Sequence, residues 1–322
     1  MMKNFRKSIY ALVLPLISLL HINPVYAQEV YPASPIELIV PWGPGGGADI
    51  MGRMAARWLE NDLKTTVTVL NVPGATGSIG LNKMIQNGSK GYSIGVLTGD
   101  TLSLDAFPKS TFTYSDVTPL AVMIRQPSGL FANYDSPFKT WDDLVAAAKL
   151  KPNSINVAIT GPNSPDESTV NYLVSKGISL VSIPYPKPSE RYVAVLGNQV
   201  ELLYEQAGDI RSQIEAKKLR PLIFFASKRL PPPFADIPVS SDYGYEILLP
   251  QTRSIVAKKG VDPKKLLVLA NSLNKLSTTP EFTNYLKEQY ALPDSYIPMA
   301  EANTFLENEL MIFKKLTAKS GK

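Results

Sequence analysis

Ile36-Glu37-Leu38-Ile39-Val40-Pro41-Trp42-Gly43-Pro44-Gly45-Gly46-Gly47-Ala48-Asp49 is the stretch that decides the fold. Its first five residues are a short β-rich run that Pro41 stops, and a glycine-rich loop follows at 43–47. A helical period then starts near Ala48, with Ile50, Met54, Ala55 and Leu59 on one face. The order repeats at once. Residues 67–70 read as a strand, 73–77 as a second glycine loop, and Ile79, Leu81, Met84 and Ile85 as one face of a helix. Residues 93–98 make a third strand. Strand, loop and helix in repetition imply βαβ units and a parallel sheet.

The same grammar resumes downstream. Residues 141–150 read as a helix with Thr140 at its N-cap and Pro152 beyond its end. A strand at 155–159 runs into Thr160-Gly161-Pro162-Asn163-Ser164. Helices at 168–176 and 190–196 alternate with strands at 180–183, 200–203 and 221–226, and amphipathic helices follow at 278–287 and 300–316. Two sets of strands predict two α/β lobes, each built on a mixed, mostly parallel sheet. Ligands collect beyond the carboxyl ends of such strands, so two lobes facing each other there make a cleft. The expected division is 28–128 plus 245–322 for the first lobe and 129–244 for the second. Pro231-Pro232-Pro233 is expected to mark the return.

Residues 1–27 read as a removable secretory signal. Lys3, Arg6 and Lys7 precede an apolar run at 9–20, and Val25-Tyr26-Ala27 ends in a small residue. A membrane span needs about 20 apolar residues, more than this run supplies. The segment carries three basic residues and no acidic one, so its removal after Ala27 lowers the formal charge from +5 to +2. A near-neutral surface argues against a nucleic-acid partner, which demands a concentrated basic face. The chain has no cysteine, and its single histidine, His21, lies in the signal. The exported form therefore has no disulfide, no Ser-His-Asp triad, no Cys nucleophile and no zinc site of the usual N/S kind. No metal or cofactor is expected.

Gly43-x-Gly45-x-x-Ala48 formally matches the dinucleotide fingerprint, but the acidic residue due at the end of the next strand is missing: that strand ends at Leu70-Asn71. A P-loop fails because no Lys-Ser or Lys-Thr follows the glycines. What survives is physical. Glycines let backbone N–H groups approach a ligand, and the helix behind them presents its positive dipole end, which suits a carboxylate as well as a phosphate. The second loop repeats the arrangement one strand over; tight turns alone are the competing explanation. Thr98, Asp100, Thr160, Asn163, Ser164 and Tyr185 stand at strand ends facing the expected cleft, with local turn capping as the alternative role. Arg253 suits either a second ligand carboxylate or an internal salt bridge. Met51, Met54 and Trp58 are expected in the core.

Several segments resemble the tripartite tricarboxylate transporter receptors, the periplasmic solute-binding proteins also called the Bug family. Tyr31-Pro32-x-x-Pro35-Ile36 and Val40-Pro41-Trp42 with Gly45-Gly46-x-Ala48-Asp49 and Arg53 look like the family's opening. Asn71-Val72-Pro73-Gly74-Ala75-x-Gly77-Ser78-Ile79-Gly80 is similar to its second signature, and Gly91-Tyr92-Ser93 to its third. Pro184-Tyr185, Leu196-Gly197-Asn198-Gln199-Val200-Glu201, Lys217-Lys218-Leu219-Arg220-Pro221-Leu222 and Arg253-Ser254-Ile255-Val256-Ala257 resemble later stretches. The resemblance implies a two-lobed, Venus-flytrap binding protein that closes over a small di-, tri- or aromatic carboxylate and delivers it to a membrane permease as a monomer. It also nominates the ligand-binding residues Trp42, Gly43, Gly45, Gly46, Ala48 and Asp49 with Gly74, Ala75, Gly77 and Ser78, Asp49 suiting a helix cap better than an anion contact.

The chain departs from the family pattern in the second lobe. Thr160-Gly161-Pro162-Asn163-Ser164 replaces a Gly-x-Gly-Ser loop followed by His, and Pro184-Tyr185-Pro186-Lys187-Pro188 has lost two glycines. Lys90 and Leu70 stand where Asp and Glu are usual. Two other functions compete. An exported hydrolase would use Ser136-x-x-Lys139, Ser272-x-x-Lys275 or paired acids such as Asp142-Asp143 and Asp166-Glu167, though consecutive acids at helix starts are ordinarily dipole partners. A binding protein that feeds a membrane sensor kinase is the other.

Overall fold

The computed structural model describes residues 30–320, so the expected signal segment lies outside the described residues. The chain opens with β1 (Ile36–Val40), α1 (Gly47–Leu63), β2 (Val67–Asn71), α2 (Ser78–Asn87), β3 (Ser93–Thr98), α3 (Gly99–Ser103) and β4 (Val117–Gln126). It continues through β5 (Ser128–Asn133), α4 (Trp141–Leu150), β6 (Asn156–Ile159), α5 (Pro165–Ser175), β7 (Val181–Pro184), α6 (Pro188–Leu196), β8 (Leu202–Gln206), α7 (Arg211–Glu215) and β9 (Leu219–Phe224). It ends with β10 (Gln251–Lys258), α8 (Pro263–Ser277), α9 (Pro280–Glu288), β11 (Ile297–Pro298) and α10 (Met299–Ser320).

Two sheets form, one per lobe. The first has the order β11-β4-β10-β3-β1-β2 and the second β7-β6-β8-β5-β9. Both are mixed, with less parallel pairing than repeated βαβ units alone imply. β1 runs parallel to β2 and β3, while β10 is antiparallel to β3 and β4, and β11 to β4. In the second sheet β6 is parallel to β7 and β8, and β5 antiparallel to β8 and β9. The antiparallel partners are the strands that carry the chain between lobes. It crosses outward at Pro127, between β4 and β5, and returns between β9 and β10. The triple proline is not the return point: Val239, beyond it, still bridges Phe224 of the second sheet.

Local chemistry fixes the helix starts. Thr140 and Asp143 form a reciprocal capping box on α4. Ser164, Asp262 and Thr279 cap α5, α8 and α9, each followed by proline at the first helical position. β1 is buried on both faces at Ile36, Leu38, Ile39 and Val40, as a parallel strand between helical layers must be. One side of the first sheet packs on α1 and α8 through Met51, Met54, Leu59, Leu269 and Leu273, and Trp58 donates Nε1 to the Ser272 carbonyl at 2.8 Å. On its other side a continuous apolar cluster runs from Ile39 and Leu97, past Phe112 and Phe313 of α10, to Trp141, Val157 and Tyr204 of the second lobe. That shared core ties the lobes together along one side.

Candidate functional site

Between the lobes, at the carboxyl ends of β1, β3 and β8, lies a cavity of about 30 Å³. Trp42, Gly46, Gly47 and Ala48 line it from the first loop, and Thr98, Asp100, Gln251 and Arg253 from the rest of the first lobe. Thr160, Asp166, Pro188, Arg191, Tyr192, Glu205, Gln206 and Asp209 close it from the second lobe. A wider groove of about 490 Å³ shares Pro188, Tyr192 and Asp209 with the cavity and reaches the surface past Pro44, Gly45 and Ser212. The site is therefore a narrow buried pocket with a broad mouth.

The first loop carries α1 into the cavity end-on. Gly46 is the N-cap and has no side chain to satisfy the first turn, so the N–H groups of Gly47 and Ala48 have no acceptor within the helix. Asp49 does not line the cavity. Its carboxylate accepts from Gly45 N at 3.0 Å, pairs with Arg53 and accepts from Asn71 Nδ2 at 2.9 Å, so it fixes the loop from behind. Trp42 donates Nε1 to Thr98 Oγ1 at 3.2 Å, joining the ends of β1 and β3. Thr98 also caps α3.

The second loop serves another purpose. Gly74, Ala75, Thr76 and Gly77 all have positive φ, which turns the loop away from the cavity. Gly77 has no alternative, since a Cβ there would overlap Thr101 Oγ1. Thr76 Oγ1 reaches the Pro162 carbonyl of the second lobe at 3.5 Å, and Ser103 Oγ lies 2.8 Å from the Asn163 carbonyl. These are lobe-to-lobe contacts. Ser78 bonds within its own loop and to Thr111, Ser164 caps α5, and the Tyr185 carbonyl accepts from Arg191 Nη1 at 3.1 Å. Of the residues nominated from sequence, Trp42, Gly46, Ala48, Thr98, Asp100, Thr160 and Arg253 line the cavity. Gly43, Gly45, Asp49, Gly74, Ala75, Gly77, Ser78, Asn163, Ser164 and Tyr185 are not among its lining residues.

Arg253 is committed internally. Its guanidinium pairs with Asp209 of the second lobe and donates to Gln126 and to Gln206, the last at 3.4 Å. Arg191 pairs with Glu205 at 2.9 Å. Burial alone would lower both guanidiniums; the carboxylates beside them more than reverse that. Asp100 and Asp166 have no guanidinium of their own. Burial raises the Asp100 carboxyl, and burial with Asp100 nearby raises Asp166 to about 7. Burial raises Asp209 to about 6 against the pull of Arg253.

These shifts set a pH dependence. An unfolded Asp titrates near about 3.9, so between that value and about 7 the folded chain binds more protons than the unfolded one. The contribution to stability is full at the acid end of this window and is lost as pH rises through it. Asp209 and Glu309, the latter raised to about 7 by burial, act in the same direction. Asp49, where burial loses to Arg53, Gly45 and Asn71, is held low and matters only below the window. The melting temperature should be higher at pH 5.5 than at pH 8, and Asp166→Asn, whose amide oxygen can still accept from Thr160 N, should flatten the slope in thermal melts. An unaltered slope would remove Asp166 from the account.

The tripartite tricarboxylate transporter family receptor model matches residues 51–321. The chain belongs to this family. It is 27% identical over 301 residues to protein BugT of Bordetella pertussis, covering 92% of each chain. Its fold is also that of an R. palustris protein solved with adipate, at TM-score 0.83, 20% identity, and 90% and 98% coverage of this chain and that one. MatC of Rhodopseudomonas palustris, solved with bound malate, superposes at TM-score 0.79 with 18% identity, covering 89% of this chain and 99% of that one. Both structures fit the two-lobed, mixed-sheet architecture seen here.

The hydrolase reading finds no support in the geometry. Lys139 Nζ donates to the Tyr134 carbonyl and Lys275 Nζ pairs with Asp62. Neither Ser136 nor Ser272 lines the cavity. Among the described residues no group of His, Cys, Asp and Glu could hold a metal, and no helix is long and apolar enough to cross a membrane.

Proposed function

We propose that this receptor is exported to the periplasm, captures a small organic carboxylate between its lobes and hands it to a tripartite tricarboxylate-type permease. The first lobe corresponds to 28–128 plus 245–322 and the second to 129–244. One observation carries the reading: the first turn of α1 has no side-chain cap, and its residues Gly47 and Ala48 line a buried cavity that the second lobe closes. A helix N-terminus attracts an anion, and seclusion from water strengthens that attraction. Adipate and malate in the two similar structures are consistent with the same solute class. Capture is through the wider groove, and closure brings Asp209 onto Arg253 and Asn163 onto Ser103. The protein binds and releases its solute without chemical change and works as a monomer.

A cavity of about 30 Å³ has room for one small group, so the lobes must part to admit a whole carboxylic acid. The test is a thermal-shift panel on protein refolded from denaturant to strip bound solute. Dicarboxylates, citrate-like tricarboxylates, aromatic carboxylates, amino acids and neutral sugars would be compared, each acid beside its amide. A ligand at roughly 100 times its dissociation constant adds about 2.7 kcal/mol, which is readily seen in a melt. One carboxylate class should stabilise the protein and its amide should not. Stabilisation by sugars alone would end the reading.

A further inference from the structure

A second cavity, of about 300 Å³, lies where the chain passes between the lobes. Pro127 borders it on the outward crossing and Pro250 on the return. Leu292 joins them from the segment between α9 and β11, where its N–H donates to the Arg125 carbonyl of β4 at 3.0 Å. Phe225 and Leu230, beyond β9, and Leu248 add to a mainly apolar wall. That wall runs from Phe225, 2% exposed, to Leu248, 42% exposed, so the cavity opens to the surface. Lys228 and Arg229 also line it, and no acidic residue does. Arg229 pairs with Asp242 at 3.0 Å, whereas the exposed Lys228 has no partner among the described residues.

We propose that this cavity is a second binding site, for a monocarboxylate with an apolar tail, and that filling it favours closure of the lobes. An apolar hollow of this size at a domain boundary suits the tail, and the unpaired Lys228 answers the carboxylate. A dicarboxylate would have to set its second charge against Phe225 and Leu230, where no polar group meets it. The link to closure runs through the chain itself. Pro127 follows Gln126, which accepts from Arg253, and Pro250 precedes Gln251, which donates to Asp100. Each crossing thus borders the hinge cavity with a proline and serves the cleft with the glutamine beside it. Parting the lobes turns the chain at these crossings and changes the shape of the cavity. A ligand that fits the shape seen here binds the closed form better and shifts the lobes toward it.

Isothermal titration of the stripped, refolded protein with hexanoate, octanoate and octanamide tests the site, and small-angle scattering reads closure. Each buried CH₂ is worth about 4-fold, so octanoate should bind about 10-fold more tightly than hexanoate. Octanamide should bind about 5-fold more weakly than octanoate, the worth of one exposed ion pair. Leu248→Glu, which sets a negative charge in the wall, should weaken octanoate by about 10-fold or more. Should that variant fail to fold, Lys228→Glu, at an exposed side chain, should cost about 5-fold or more. Octanoate should also reduce the radius of gyration of the solute-free protein. No octanoate binding, or binding that survives these substitutions, overturns the site. Binding that leaves the radius unchanged overturns the link to closure.

Discussion

Arg253→Met is expected to weaken solute binding by more than about 100-fold. Arg253 stands on β10 of the first lobe, and its guanidinium reaches Asp209 just past β8 of the second. Both side chains are about 96% buried by the closed lobes, at 3% and 4% exposure. Removing one partner of such a pair strands the other charge, typically at about 3–5 kcal/mol. Here the protein has a cheaper escape: the lobes part and Asp209 rehydrates. The loss therefore falls on closure and affinity, where about 3 kcal/mol is a factor of roughly 150. The melting temperature without solute should fall by much less than the affinity implies. Adding Asp209→Asn should recover part of the lost affinity, because the stranded charge is then gone. A single variant with near-normal affinity would show that the pair does not hold the closed form.

Gly47→Ala should act with opposite signs on stability and binding. Gly47 is the first residue of α1, where alanine has the better helix propensity by up to about 1 kcal/mol. Without solute and with the lobes apart, the substitution is neutral or slightly stabilising. In the closed form a Cβ at this position would overlap Asp209 Oδ1 and the Arg253 guanidinium, both fixed by their mutual pairing. It would also crowd the N–H groups that face the carboxylate. A loss of at least about 30-fold in affinity, alongside an equal or higher melting temperature without solute, is the expected pattern by titration and thermal melt. A parallel fall in both would mean that Gly47 matters to folding instead.

The βαβ skeleton was readable because glycine loops and proline stops punctuate it, and α4 begins where Thr140 and Asp143 allow. β4 and β5 escaped notice because they lie almost wholly in the interior and show no alternation to mark them as strands. α8 was missed as an element although Asp262-Pro263 announces its start. At the site, the first glycine loop delivered Gly46 and Ala48 as expected, whereas four consecutive positive φ angles turned the second loop into a contact between lobes. Such a run is a backbone property, and Ala75 and Thr76 do not advertise it.

The charged half of the cavity was hidden for a different reason. Asp166 looks in sequence like any acid in a first helical turn, and only the closed second lobe makes it a buried group accepting from Thr160 N at 2.8 Å. Arg191, Gln206, Asp209 and Gln251 sit at a helix turn or beside strand ends with no motif around them. The available signal is Tyr204-Glu205-Gln206, a polar end to a buried strand. It points to the cleft's acidic character, with Glu205 itself answered by Arg191.

Isothermal titration of the best carboxylate from the thermal panel, run beside its neutral amide on the same stripped protein, tests the central claim most directly. One solute per chain should bind, with the amide silent and the binding largely lost in Gly47→Ala. Equal binding of acid and amide, or full binding by Gly47→Ala, would contradict a carboxylate held at the first turn of α1.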